Sequence, residues 1–194
     1  MPSKRDQLIE SAIELFNREG FHATGVDAIA EHSGVSKMTL YAHFRSKDEL
    51  ILAALRRRDE QERNRIIREV ERRSPDPRGR ILAIFDIFGE WFKDGGFRGC
   101  MFINATAEYT GSESPIHRAA AEHKRLFFGY LRKLCEEAGA SNPEDLAEQI
   151  FLVMEGAIVT ALVRGSADIA QRARRSAEVL LEAELGKTEI PERG

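Results

Sequence analysis

Between Val35 and Lys47 the chain offers Met38, Tyr41 and Ala42 to one side of a short helix, with Thr39 and His43 beside them. Leu40 and Phe44, four residues apart, claim the buried side. Polar and thioether groups carried outward from an apolar anchor are the form of the second helix of a helix-turn-helix. Elsewhere the reactive residue types are sparse. Cys100, His123 and Glu155 supply a thiol, an imidazole and a carboxylate without a nucleophile-and-base motif, so an all-helical enzyme using Cys100 is only a remote alternative. Cys100 and Cys135 lack CxxC spacing, which argues against a zinc site or structural disulfide, and no metal or cofactor is expected.

The elements that must position the outward helix are legible on either side of it. Lys4 to Glu19 reads as a first helix with Leu8, Ile9, Ala12, Ile13 and Phe16 on one face and Gly20 as its stop. Thr24 and Asp27 have the spacing of a reciprocal N-terminal cap for a second helix to Ser33. Gly34 supplies the turn and Ser36 caps the third helix. Ser46 with Glu49 opens a long helix reaching Arg73, whose charged run from Arg56 reads as a solvated connector face.

Prolines and glycines punctuate the rest. Pro75 and Pro77 break the chain, and Asp76 with Pro77 starts a helix bearing Ile81, Ile84, Phe85, Phe88, Trp91 and Phe92. A mostly apolar run from Phe97 to Asn104 leads into a short buried helix at 105–109. Later helices run from Ser114 and Pro115 to about Ala138, from Asn142 and Pro143 to Arg164, and onward from a cap at Ser166. The fold class is therefore all-α, with about nine helices and no segment of period two.

Composition, 42% hydrophobic and 31% charged, excludes a disordered chain. The net charge of −3 argues against a non-specific nucleic-acid coat, but it is uneven. Residues 1–58 carry 9 Lys and Arg against 8 Asp and Glu, and the remainder 20 against 24, so the N-terminal part tolerates a polyanion better. With no apolar run read as long enough to cross a bilayer and no signal peptide at Met1, a cytoplasmic protein without a membrane partner is expected.

The pattern Thr24-x-Val26-x-x-Ile29-Ala30, then Gly34-Val35-Ser36, then Thr39-Leu40-Tyr41-x-His43-Phe44-x-Ser46-Lys47-x-x-Leu50 resembles the DNA-binding domain of the TetR family of bacterial transcriptional regulators. The match is dense over about residues 5–52 and mainly architectural beyond. It implies an N-terminal three-helix helix-turn-helix domain at 1–46, a connecting helix at 47–73, a helical bundle for ligand binding and dimerisation at 74–186, and a flexible tail at 187–194. It also implies that Lys37 to Phe44 enters a major groove. Ser36, Lys37, Met38, Thr39, Tyr41 and Ala42 would then lie nearest bases or backbone, and Thr24, Tyr41, His43 and Lys47 against phosphates. Chemistry agrees, since hydroxyls donate to phosphate oxygens and a lysine reaches guanine acceptors. Ala42 departs from relatives with a large aromatic there, leaving a thymine-methyl contact or no contact open.

For the second domain the resemblance implies an unknown small-molecule effector. Phe88, Trp91, Phe92, Phe102, Phe127 and Met154 either line its cavity or are core, and Asn104, His123 and Glu155 either fix it or are satisfied core polar groups. Cys100 follows a Gly, as in relatives that sense electrophiles, and is otherwise an inert buried thiol. A homodimer through the last two long helices, about 143–164 and 167–185, is expected. Gly156, Ala157, Ala161, Ala173 and Ala177 would permit close approach of the two copies. The implied function is a repressor released from a palindromic operator by its effector. An activator or a constitutive DNA-binding protein is the alternative.

Overall fold

The computed structural model describes residues 2–186, so the flexible tail expected at 187–194 lies outside the described residues. These hold nine α-helices and no strand: α1 Lys4–Glu19, α2 Val26–Ser33, α3 Lys37–His43, α4 Lys47–Arg73, α5 Pro77–Phe92, α6 Met101–Glu108, α7 Pro115–Glu137, α8 Pro143–Arg164 and α9 Asp168–Leu185. They form two compact units. One holds the residues up to Glu62 together with Cys100–Lys124, the other Arg63–Gly99 together with the residues from Arg125 onward. This partition cuts the chain differently from the boundaries expected near 46 and 73, because α6 and the first half of α7 fall with the N-terminal helices.

In the first unit α1, α2 and α3 pack pairwise around Leu8, Phe16, Ile29, Leu40 and Phe44, all at most 2% exposed. Phe16 and Phe21 stack with ring centroids 5.0 Å apart, closing the end of α1. The capping pair expected at the start of α4 forms with its return bond shifted one residue, from Ser46 to Arg45. Ser46 Oγ accepts the Glu49 N–H at 3.2 Å, and the Glu49 carboxylate reaches back to the Arg45 N–H at 2.8 Å. Within this unit Arg57 of α4 pairs with Asp6 at 2.6 Å and Glu10 at 3.2 Å.

In the second unit α5, α8 and α9 pack on one another. Asp76 accepts the Gly79 N–H at 2.8 Å at the start of α5, and Asn142 that of Asp145 at 3.3 Å at the start of α8, both as the sequence predicts. Helix α5 lies so close to α9 that a Cβ added to Gly89 would sit 3.4 Å from that of Ala170. The end of α4 is fastened by Glu69 to Arg72 and Arg73, and Arg73 reaches Glu90 of α5 at 2.7 Å.

Four expectations are corrected. The apolar run from Phe97 does not precede the short helix but supplies it, since α6 already begins at Met101. Ser166 does not cap α9, which starts at Asp168 without a side-chain cap. Ala157, Ala161, Ala173 and Ala177 are at most 7% exposed because they let α8 and α9 approach within the chain, and only Gly156 of that group is exposed. Finally, α8 is long and apolar enough by length and composition to span a bilayer, with a mean hydropathy of 1.8. Its apolar character has two sources, a core face and a second, exposed apolar stripe.

Candidate nucleic-acid interface

The turn between α2 and α3 is built by the backbone. Gly34 takes φ 66°, ψ 21°, a left-handed conformation that costs a Cβ-free residue nothing. Its N–H bonds the Glu31 carbonyl at 3.1 Å, and the N–H of Val35 bonds that of Ala30 at 3.1 Å, the paired bonds of a Schellman ending with buried Val35 against Ala30. Ser36 then caps α3, accepting the Thr39 N–H at 3.2 Å and sharing a hydroxyl contact with Thr39 Oγ1 at 2.8 Å. With Leu40 and Phe44 buried, Ser36, Lys37, Met38, Tyr41, Ala42 and His43 are exposed, Met38 by 82%. Met38 thus leaves its thioether in water on the same short helix as Tyr41, which is 48% exposed.

Two cations carry constraints the sequence did not show. Lys37 Nζ lies 2.6 Å from Asp27 of α2, and that bond raises the lysine above its ordinary range. Lys47 donates to the His22 carbonyl at 3.3 Å. The loop it touches is gripped by α6, whose Glu108 carboxylate accepts the N–H of Phe21 at 2.9 Å and of His22 at 2.6 Å. The His22 ring adds a 2.8 Å contact to Glu108 and stacks on Tyr109 at 4.8 Å. Burial pushes Glu108 up, but these donors outweigh it and hold its carboxyl below the usual glutamate range.

Thr24 is a correction. It is 0% exposed, and its hydroxyl donates to the Gly20 carbonyl at 2.7 Å, so it neither caps α2, whose N-cap is Gly25, nor presents a side chain to phosphate. Two arginines outside the expected set lie beside α3. Arg45 is exposed in the turn after α3, and the guanidinium of Arg5 lies 5.2 Å over the ring of Phe44. An arginine flanked by Phe44 and Ser46 was the available signal for the first. The second depends on packing of α1 against α3.

Comparison with known proteins decides the class of interface. The family model for bacterial regulatory proteins of the tetR family matches residues 8–54, and that for the tetracyclin repressor-like C-terminal domain matches residues 77–177. The chain belongs to the TetR family. A crystal structure of a TetR-family transcriptional regulator from Streptomyces coelicolor matches with 28% identity over 94% of this chain and 96% of that one, at a TM-score of 0.87. The HTH-type transcriptional regulator YjdC of Escherichia coli K12 is 25% identical over 182 residues, 92% of this chain and 93% of its own. The HTH-type transcriptional activator FasR of Mycolicibacterium smegmatis is 40% identical over 92 residues, 46% of this chain and 41% of its own. As a TetR-family member the protein is a helix-turn-helix transcriptional regulator that binds DNA, not an enzyme.

The residues singled out for an effector fall into separate places in this TetR-family fold. In the second unit Trp91 and Phe92 pack on Phe97 at 4.9 and 5.0 Å, Phe88 packs on Trp91 and Phe92, and Phe127 and Met154 are buried. Glu155 there is partly exposed and engaged with its surroundings. In the first unit Phe102 stacks on His123 at 3.6 Å, and His123 Nδ1 meets Asp59 at 2.8 Å. Asn104 is partly buried and engaged. Cys100 is 8% exposed at the N-cap position of α6, and Cys135 is fully buried, which pushes its thiol up to about 12.

Proposed function

We propose that the protein is a homodimeric repressor that holds a palindromic operator and leaves it when a small effector binds. The observation that carries this reading is the outer face of α3, where Lys37, Met38, Tyr41, Ala42 and His43 stand clear of a core fixed by Leu40 and Phe44. One such helix contacts too few base edges for specificity, whereas two helices roughly 34–36 Å apart read half-sites one turn apart. Support for a second copy comes from α8, where Leu152, Gly156, Val159 and Val163 form an exposed stripe at helical spacing, with Val179 exposed on α9. In this reading residues 1–46 read DNA, 47–73 transmit, and 74–186 carry dimerisation, all in the cytoplasm where chromosomal DNA is read.

Ser36, Lys37, Met38, Thr39, Tyr41 and Ala42 approach bases and adjoining backbone, while His43 and Lys47 approach phosphates. The effector acts only through a difference in its affinity for the two arrangements of the recognition helices. A selection of random duplex DNA with the purified protein tests this. Enrichment of an inverted repeat with half-site centres about 10 bp apart is expected, and an asymmetric single site would sink the dimer reading. Activation is the second reading, favoured by the name of the FasR relative. A footprint overlapping the promoter supports repression, and one upstream of it supports activation.

A further inference from the structure

Helices α4 and α7 enclose a cleft of about 400 Å³ within the first unit, in the range of small-molecule sites. Its apolar lining comes from Leu52 and Leu55 of α4 and Ala119 of α7, with Leu55 1% exposed. Two guanidiniums, Arg56 and Arg118, line the same cleft. Arg56 is exposed and held by no hydrogen bond or ion pair among the described residues. Arg118 meets only Glu113, a side chain 93% exposed, at 3.2 Å.

The acids of the cleft are matched already. Asp59 is 17% exposed and takes His123 at 2.8 Å, and His123, 11% exposed, is fixed from behind by the parallel ring of Phe102. Glu122 is engaged as well. Among the described residues Arg56 is therefore left without a partner and Arg118 with one exposed carboxylate, over an apolar floor. We propose that this cleft binds a small organic anion, its carboxylate or sulfonate on Arg56 and Arg118 and its apolar body on Leu52, Leu55 and Ala119.

We infer further that this anion is the effector, which rests on the reading of the protein as effector-responsive. Helix α7 is tied to the end of α6 by His117, whose Nδ1 donates to the Tyr109 carbonyl at 3.0 Å. Tyr109 stacks on His22, Glu108 holds the Phe21 and His22 amides, and Lys47 holds the His22 carbonyl. A contiguous set of contacts thus leads from the cleft to the start of α4, next to the recognition helix.

The test titrates the full chain with 1-anilinonaphthalene-8-sulfonate, an anion with an aromatic body, and with its neutral analogue N-phenyl-1-naphthylamine. Saturable binding of the sulfonate is expected, weakened roughly tenfold or more by Arg56→Ala with Arg118→Ala. It is abolished by Ala119→Trp, which fills the cleft. Far-UV circular dichroism of each variant confirms that it folds. Equal binding of the neutral analogue, or unchanged affinity in both folded variants, overturns the cleft as an anion site. Competition between the sulfonate and the selected operator is then read by fluorescence anisotropy. Arginine-dependent binding of the sulfonate that leaves operator affinity unchanged removes the effector role while the site itself stands.

Discussion

Glu108 closes α6 with its carboxylate 2.6 Å from the N–H of His22 and 2.8 Å from the same residue's ring nitrogen, 86 residues away in sequence. One acid thus fixes the loop that receives Lys47. Glu108→Gln keeps the shape but turns an NH₂ toward a backbone N–H, donor against donor. Both Glu108→Gln and Glu108→Ala are expected to lower unfolding free energy by about 1–2 kcal/mol, read from urea denaturation. Operator affinity should fall several-fold through the displaced Lys47. Wild-type stability in both variants would show that water replaces the clamp at no cost.

Acid should loosen the junction of α4 and α5. Hydrogen bonds from Arg72 and then Arg73 hold Glu69 down at about 2, and the bond from Arg73 also lowers Glu90. Both folded values lie below the ordinary 4.5, so the stabilisation is complete above that pH and drains away as pH falls from there toward about 2. The urea midpoint is expected to drop across that window, and the drop should be shallower in Arg73→Gln, which loses part of the linkage. Identical pH profiles for the two proteins would assign acid sensitivity to other carboxylates.

Helix bounds were legible wherever a cap acts through its immediate neighbours, as at Ser46 with Glu49, Asp76 and Asn142. The outward face of α3 was legible for the same reason, being a matter of spacing within seven residues. Thr24 was not, because a threonine before a helix can either cap it or bond back to a carbonyl four residues earlier. In the folded chain Thr24 is fully buried and takes the second. The alanines of α8 and α9 signalled close approach without saying to what. The Glu108 clamp and the Arg56 and Arg118 cleft each join segments more than 60 residues apart, and periodicity carries no information at that range.

Lys37 and Lys47 should separate base reading from backbone binding. Lys37 must leave Asp27 to reach a base edge, and the pair lies on the surface where salt and phosphate compete for it. Asp27→Asn is therefore expected to tighten operator binding at low salt, by an amount that shrinks as salt rises. Lys37→Ala should relax base preference, and Lys47→Ala should weaken all sequences alike while reducing the salt slope by about 1. Anisotropy titrations on the operator and on scrambled duplexes distinguish these, and equal loss of preference in both lysine variants would contradict the division.

The exposed stripe on α8 and the buried alanines behind it make opposite predictions about where two copies meet. Val163 is 78% exposed and Val159 44%, so glutamates at both positions meet water in a single chain and should leave its thermal midpoint nearly unchanged. In a dimer formed across that stripe they bring four carboxylates together, and sedimentation equilibrium is expected to show monomers. Operator affinity should then fall by about a hundredfold or more, since each half-site is held alone. Ala161, on the opposite face and 2% exposed, responds differently. Glutamate there buries a charge against α9 and should unfold the chain rather than dissociate it. A dimer that survives Val159→Glu with Val163→Glu would move the interface off this stripe, because no pairing through it tolerates that charge.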